Sequence, residues 1–315
     1  MHIHKAHVSA SLLGLALISL GGCASTAAVT QPVAKAPTEL YSGQPATVHA
    51  TEFPVASAAE GIQRGDAAWQ QGDLDLAIYL YLQALQFEPK DAATLRKIGA
   101  IHESRGHLAQ ARHAFELALQ RGGEHAATME RLGLLYLLDE HNDEAQAMLS
   151  RVIAIEPRWR AYNGLGVLAD RRGDHTLALT RYSAALFLEP KAGMVYNNRG
   201  YSRYLDGDLV GAEKDLREAI RLGADRAWPN LGKVQAKARN YGLALRSFLE
   251  TLDTAHAYNE VGEAAMRNGD NQIAKAYFED ASNSSPAYFE QAQKNLAVVN
   301  DALLSGARKG GSSGT

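Results

Sequence analysis

Seven times between residues 58 and 286 the chain repeats one pattern, and any fold it adopts must repeat with the same period. A glycine recurs at Gly65, Gly99, Gly133, Gly166, Gly200, Gly232 and Gly262, at spacings of 34, 34, 33, 34, 32 and 30 residues. Twelve residues after each stands an alanine: Ala77, Ala111, Ala145, Ala178, Ala212, Ala244 and Ala274. Four residues further on comes a large apolar or aromatic side chain: Tyr81, Phe115, Leu149, Tyr182, Leu216, Phe248 and Phe278. Proline closes four of the units, at Pro89, Pro157, Pro190 and Pro286.

Each unit reads as two helices, A and B, joined by a turn. Glycine inside a helix costs about 0.8–1 kcal/mol relative to alanine, so the recurrent glycines need a compensating gain. Close approach of two helix backbones supplies one: the glycine of helix A admits the alanine and the large side chain of helix B. Between the helices, Gly72-Asp73, Gly173-Asp174, Gly207-Asp208 and Gly269-Asp270 offer a C-cap glycine followed by an N-cap aspartate. The RGD tripeptide at 172–174 is therefore a turn and not an adhesion motif. Units 3 and 6 depart from this, with Asp139-Glu140-His141 and Arg239-Asn240 in place of the glycine turn, so looser packing is expected near 240–255.

The register resembles the tetratricopeptide repeat, which has small residues at unit positions 8 and 20, an aromatic residue or leucine at 24 and proline at 32. The resemblance implies an all-α, right-handed superhelical solenoid, with units at 58–91, 92–125, 126–158, 159–192, 193–224, 225–254 and 255–286. After Pro286, the segment carrying Tyr288, Ala292, Leu296 and Val299 on one face is expected to form a capping helix over 287–305. Residues 306–315 are expected to be a disordered tail.

The only cysteine, Cys23, follows an apolar stretch from Val8 to Leu20 and the small residues Gly21 and Gly22. A weakly basic start, a short apolar run and small residues are signal-peptide anatomy. Thirteen helical residues rise about 20 Å, short of the roughly 30 Å hydrocarbon core. Leu20-Gly21-Gly22-Cys23 resembles the bacterial lipobox, which implies a signal peptide over 1–22 and a lipidated mature first residue at Cys23. Ala24, in place of the aspartate associated with inner-membrane retention, points to the periplasmic face of the outer membrane. From 23 to 57 the Ala, Thr, Gln and Pro content reads as a disordered tether, reaching about 30–35 Å as a flexible chain.

Other chemistries are excluded by what the chain carries. A net charge of −3 and a pI near 6.4 provide no footprint for nucleic acid. There is no phosphate-binding glycine loop, no G-x-S-x-G and no H-E-x-x-H, and a lipidated cysteine cannot serve as a catalytic thiol. No enzyme activity, cofactor or metal site is expected. His102, His107 and His113 lie close together but lack the spacing of a zinc site.

Function is expected in the concave face lined by helix A. Unit position 5 is Asn163, Asn197, Pro229 and Asn259 in units 4 to 7, and position 6 adds Asn198 and Asn230. Amides donate and accept at once, so this row is expected to pair with the backbone of an extended peptide, with Tyr201 and Tyr204 adding contact area. Groove positions of units 4 to 7 carry Arg160, Arg171, Arg226, Lys233, Lys237 and Arg267 against Asp170 and Glu263. Those of units 1 to 3 carry Arg96 against Asp66, Glu103 and Glu130. A polarised groove is therefore expected, basic in the second half, with an apolar floor of Leu134, Leu137 and Leu138 in the first. Lipobox, tether and repeat body together resemble the tetratricopeptide lipoproteins of tight-adherence (Flp) pilus assembly. That resemblance implies a secretin or pilus-assembly component as partner; an adaptor docking peptidoglycan hydrolases is the alternative.

Overall fold

The computed structural model describes Leu40, residues 55–285 and residues 289–311, with side chains as far as 305. The expected signal peptide, Cys23, most of the tether and the last four residues lie outside the described residues. Fifteen α-helices follow one another among the described residues, α1 to α15. The A helices are α1 (Ala58–Gln70), α3 (Ala92–Ser104), α5 (Ala126–Leu138), α7 (Trp159–Arg171), α9 (Gly193–Asp206), α11 (Ala227–Lys237) and α13 (Thr254–Arg267). The B helices are α2 (Leu74–Phe87), α4 (Leu108–Gly122), α6 (Asn142–Ile155), α8 (His175–Leu188), α10 (Leu209–Arg221), α12 (Tyr241–Leu249) and α14 (Asn271–Ser284). The last, α15 (Glu290–Gly311), covers the open end. It continues beyond residue 305 into the segment expected to be a disordered tail. No helix among the described residues is long and apolar enough to cross a membrane.

The glycine register has a direct steric cause. A Cβ on Gly65 would stand 2.5 Å from the Tyr81 ring, and one on Gly166 would stand 2.5 Å from Tyr182. Gly99 and Gly262 face Phe115 and Phe278 in the same way at 2.6 Å. The large side chain of helix B thus lies on the glycine itself, while the recurrent alanines sit at 0% exposure beside it. Each helix packs on the next, and from unit 3 onward successive A helices also touch one another, ending on α15. That succession makes helix A the inner, concave face of a superhelical solenoid.

The turns follow the capping logic. Asp73, Asp174 and Asp208 accept from the backbone N–H of Leu76, Leu177 and Gly211. Gly173 has φ +77°, so the RGD stretch is a turn closed by its own aspartate. Asp270 is the exception: its carboxylate is taken by Tyr241 Oη and Arg239 instead of capping α14. Glu140 and Arg239 adopt φ 62°, doing with a side chain what glycine does in the regular units, and α12 is the shortest helix at nine residues. Left-handed backbone at a non-glycine residue costs about 1–2 kcal/mol, which marks units 3 and 6 as the irregular ones.

Leu40, within the stretch expected to be a free tether, is 1% exposed and belongs to the core of units 1 and 2. Val55 belongs to the same core, and Ser57 caps α1 by accepting from Glu60 N–H.

Candidate functional site

Four of the groove asparagines are brought together, though in a different role from the one expected. Asn230 Nδ2 donates to Asn197 Oδ1 at 2.9 Å, Asn197 Nδ2 to Asn198 Oδ1 at 3.3 Å, and Asn198 Nδ2 to Asn163 Oδ1 at 3.0 Å. An amide chain therefore ties α11 to α9 and α9 to α7. Each amide offers two donors and two acceptor sites, so the half-buried Asn197, Asn198 and Asn230 keep capacity for a ligand. Asn163 is only 8% exposed and serves the packing. Asn259, 6% exposed, is not part of this chain: it donates to Glu263 Oε1 at 3.0 Å and accepts from Asn295 of α15 at 3.0 Å. Sequence spacing marked these positions as inward-facing but carried no sign that the amides would satisfy one another across units.

Beside the amide chain, Tyr201 and Tyr204 stack with ring centroids 5.9 Å apart, and Lys233 Nζ stands 5.8 Å over the Tyr201 ring. Tyr204, Lys233, Lys237, Phe248, Arg267 and Asn268 line a small recess where units 5, 6 and 7 meet. Neither lysine has a carboxylate partner among the described residues. The acids of this half are engaged elsewhere. Asp170 accepts from Tyr182 Oη at 2.8 Å and Ser202 Oγ at 2.7 Å, and lies 2.9 Å from His175 Nδ1. Burial, reinforced by the Asp170 carboxylate, pushes the Tyr182 phenol well above its ordinary range, so that hydroxyl stays a donor. Asp215, 3% exposed, is held by Arg199 in a two-pronged contact at 2.8 Å and by Arg203 at 3.0 Å.

The first half of the groove differs from its expected acidic character. Asp66 pairs with Lys97 at 2.6 Å, Glu103 with Arg131 at 3.3 Å, and Glu130 with Arg158. Each base comes from the unit after the acid or from its end, at a position outside the five groove sites. With the acids matched, Arg96 and Arg160 remain without a carboxylate partner among the described residues, the latter stacked 4.3 Å over Trp159. They line a recess of about 620 Å³ together with Arg131, Arg158 and His125. Of the expected leucine floor, Leu134 lines this recess half-buried, Leu137 is buried and Leu138 is exposed, at 65%. The concave face thus carries unmatched positive charge at Arg96 in the first half and at Arg160, Lys233 and Lys237 in the second.

Comparison with known families agrees with this geometry. A TPR repeat model matches residues 65–106, and tetratricopeptide repeat models match 131–180, 168–227 and 255–288, together more than half of the chain. The chain belongs to the tetratricopeptide-repeat family. A similar curated protein is human Tetratricopeptide repeat protein 36, 36% identical over 104 residues, which are 33% of this chain and 48% of that one. The Drosophila melanogaster BBSome complex member BBS4 homolog is 24% identical over 189 residues, 58% of this chain and 39% of its own length. This chain thus spans half or less of the length of these curated relatives. Among solved structures, a tetratricopeptide repeat protein from Parabacteroides merdae superposes with a TM-score of 0.56 at 17% identity, covering 77% of this chain and 98% of that one. A chain of the APC/C hetero-tetramer Cut9–Hcn1 gives 0.56 at 16% identity, with 77% and 48% covered. At these identities the structures share the tetratricopeptide solenoid, a scaffold that mediates protein–protein interaction; function has to be argued from the groove itself.

Proposed function

We propose that this tetratricopeptide protein is a lipid-anchored, non-catalytic adaptor at the periplasmic face of the outer membrane. Its concave face would hold an acidic, extended segment of a partner in the assembly of a surface pilus or secretion machine. One observation carries the binding part. Along helices A the acids Asp66, Glu103, Glu130 and Asp170 are engaged within the fold, while Arg96, Arg160, Lys233 and Lys237 have no carboxylate partner among the described residues. Surplus positive charge over half-free amides and a tyrosine pair suits an acidic backbone segment, and its attraction weakens with salt. The anchoring part rests on the Leu20 to Cys23 resemblance, and the assembly role on its combination with the repeat body.

Binding is tested with a fluorescent peptide rich in Asp and Glu. Lys233→Glu combined with Lys237→Glu should weaken it more than tenfold, and raising salt from 50 to 500 mM should weaken the wild type comparably. Salt-independent binding with no effect of the double reversal would refute the acidic-partner reading. Anchoring is tested with Cys23→Ala, which should leave the helical fold intact, release the protein from outer-membrane fractions and lower secretin multimers or surface pili. Normal multimers in that variant, with a peptidoglycan endopeptidase recovered on the native protein, would move the assignment to wall-hydrolase docking.

A further inference from the structure

Helix α2 differs from every other B helix. It buries eight residues, Ala77 to Leu82 with Ala84 and Leu85, whereas α6 and α14 bury three each. The additional ones include Ile78, Tyr79 and Leu82, at 1%, 5% and 6% exposure. The corresponding positions of unit 2 are Arg112, His113 and Glu116, and those of unit 5 are Glu213, Lys214 and Arg217. A helix apolar on all sides has to be covered on all sides. The outer face of unit 1 is therefore built to receive something that no other unit receives.

What it receives is visible at one point. Leu40 joins the same apolar cluster as Ile78, Tyr79 and Leu82, and so does Val55. The Leu40 carbonyl lies 2.6 Å from His102 Nε2, which donates to it. His102 is fully buried on α3, and its Nδ1 has no hydrogen-bond partner among the described residues, so the Leu40 carbonyl is the one polar contact recorded for the ring.

We propose that the outer face of α2, together with His102, is a docking surface for the chain's own N-terminal segment, with Leu40 as its anchor. The free linker is then shorter than the composition of residues 23–57 implies. Sixteen residues separate Cys23 from Leu40, and a flexible chain of that length reaches about 20–24 Å, against about 30–35 Å for the whole stretch. Resting on the lipid-anchor reading, this holds unit 1 close to the bilayer and leaves the groove of units 4 to 7 as the part farther from it along the solenoid.

Hydrogen exchange on the full-length lipidated protein in detergent, repeated on full-length Cys23→Ser, tests the docking. In both, the Leu40 amide should exchange at least tenfold more slowly than in a free peptide. Leu40→Asp should accelerate exchange across Leu74–Phe87 at least tenfold while Leu209–Arg221 stays unchanged, which shows the solenoid intact; Leu40→Ile should restore protection. Free-peptide exchange at Leu40, or no change in α2 on Leu40→Asp, would overturn the proposal. Docking retained in wild-type protein purified from membranes, with a mass showing no acyl chains on Cys23, would overturn the anchor reading alone.

Discussion

Units 1 and 4 are alike inside and unlike outside. In each, a glycine lies under a tyrosine ring with 2.5 Å to a hypothetical Cβ, the tyrosine hydroxyl donates to an aspartate of helix A, at 2.6 Å for Tyr81 to Asp66 and 2.8 Å for Tyr182 to Asp170, and an aspartate caps helix B. Yet α2 turns Tyr79, Leu80 and Leu82 to places where α8 has Thr180, Arg181 and Ser183. The first set is buried, while Thr180 and Ser183 are exposed. The inner junction therefore defines the repeat, and the outer face records whether the rest of the chain covers that unit.

The sharpest way to break this comparison is at the shared junction. Gly65→Val and Gly166→Val each force a side chain into a tyrosine ring, and overpacking of this kind costs about 1–3 kcal/mol, here expected near the top of that range. The two losses, read from urea unfolding followed by helix-resolved exchange, should agree within about 1 kcal/mol. A larger gap would show that the interiors are not equivalent. The outer faces should diverge: Leu82→Glu buries a charge and should cost about 2 kcal/mol, whereas Ser183→Glu, on a solvated face, should stay within about 0.5 kcal/mol. Equal costs would mean that nothing covers unit 1.

The solenoid was readable in the sequence because its constraints are local. Glycine, alanine and a large side chain at fixed offsets describe one helical hairpin, and seven copies describe the stack. What lay beyond reading connects units. The amide chain joins Asn230, Asn197 and Asn163 over separations of about one repeat, and composition holds no record of which amides meet. Counting charge at five groove positions missed Lys97, Arg131 and Arg158, which reach across to Asp66, Glu103 and Glu130 and cancel the expected acidic half. The docked segment did leave a trace, since Ile78-Tyr79-Leu80-Tyr81-Leu82 has no polar face for water. Leu40 itself, in a stretch rich in Ala, Thr and Pro with no sustained apolar period, resembled linker until its burial was visible.

The smallest expected effect separates the two units by pH. Burial lowers the basicity of His102 and outweighs the Leu40 carbonyl, whose hydrogen bond favours the protonated ring; His107 and Arg105 also oppose protonation, and Asp75 of α2 favours it. The docked state thus disfavours the imidazolium, while the undocked ring titrates near its ordinary value of about 6.5. Below that value the undocked state binds the additional proton. Docking is then fully stable above pH 6.5 and loses free energy as pH falls, by at most about 1.4 kcal/mol per pH unit for one proton. Exchange across Leu74–Phe87 between pH 7.5 and 5, corrected for intrinsic rates, should quicken relative to His175–Leu188 of unit 4. His102→Gln, whose amide donates without titrating, should remove that difference; if it persists in the variant, another group titrates at the docked face.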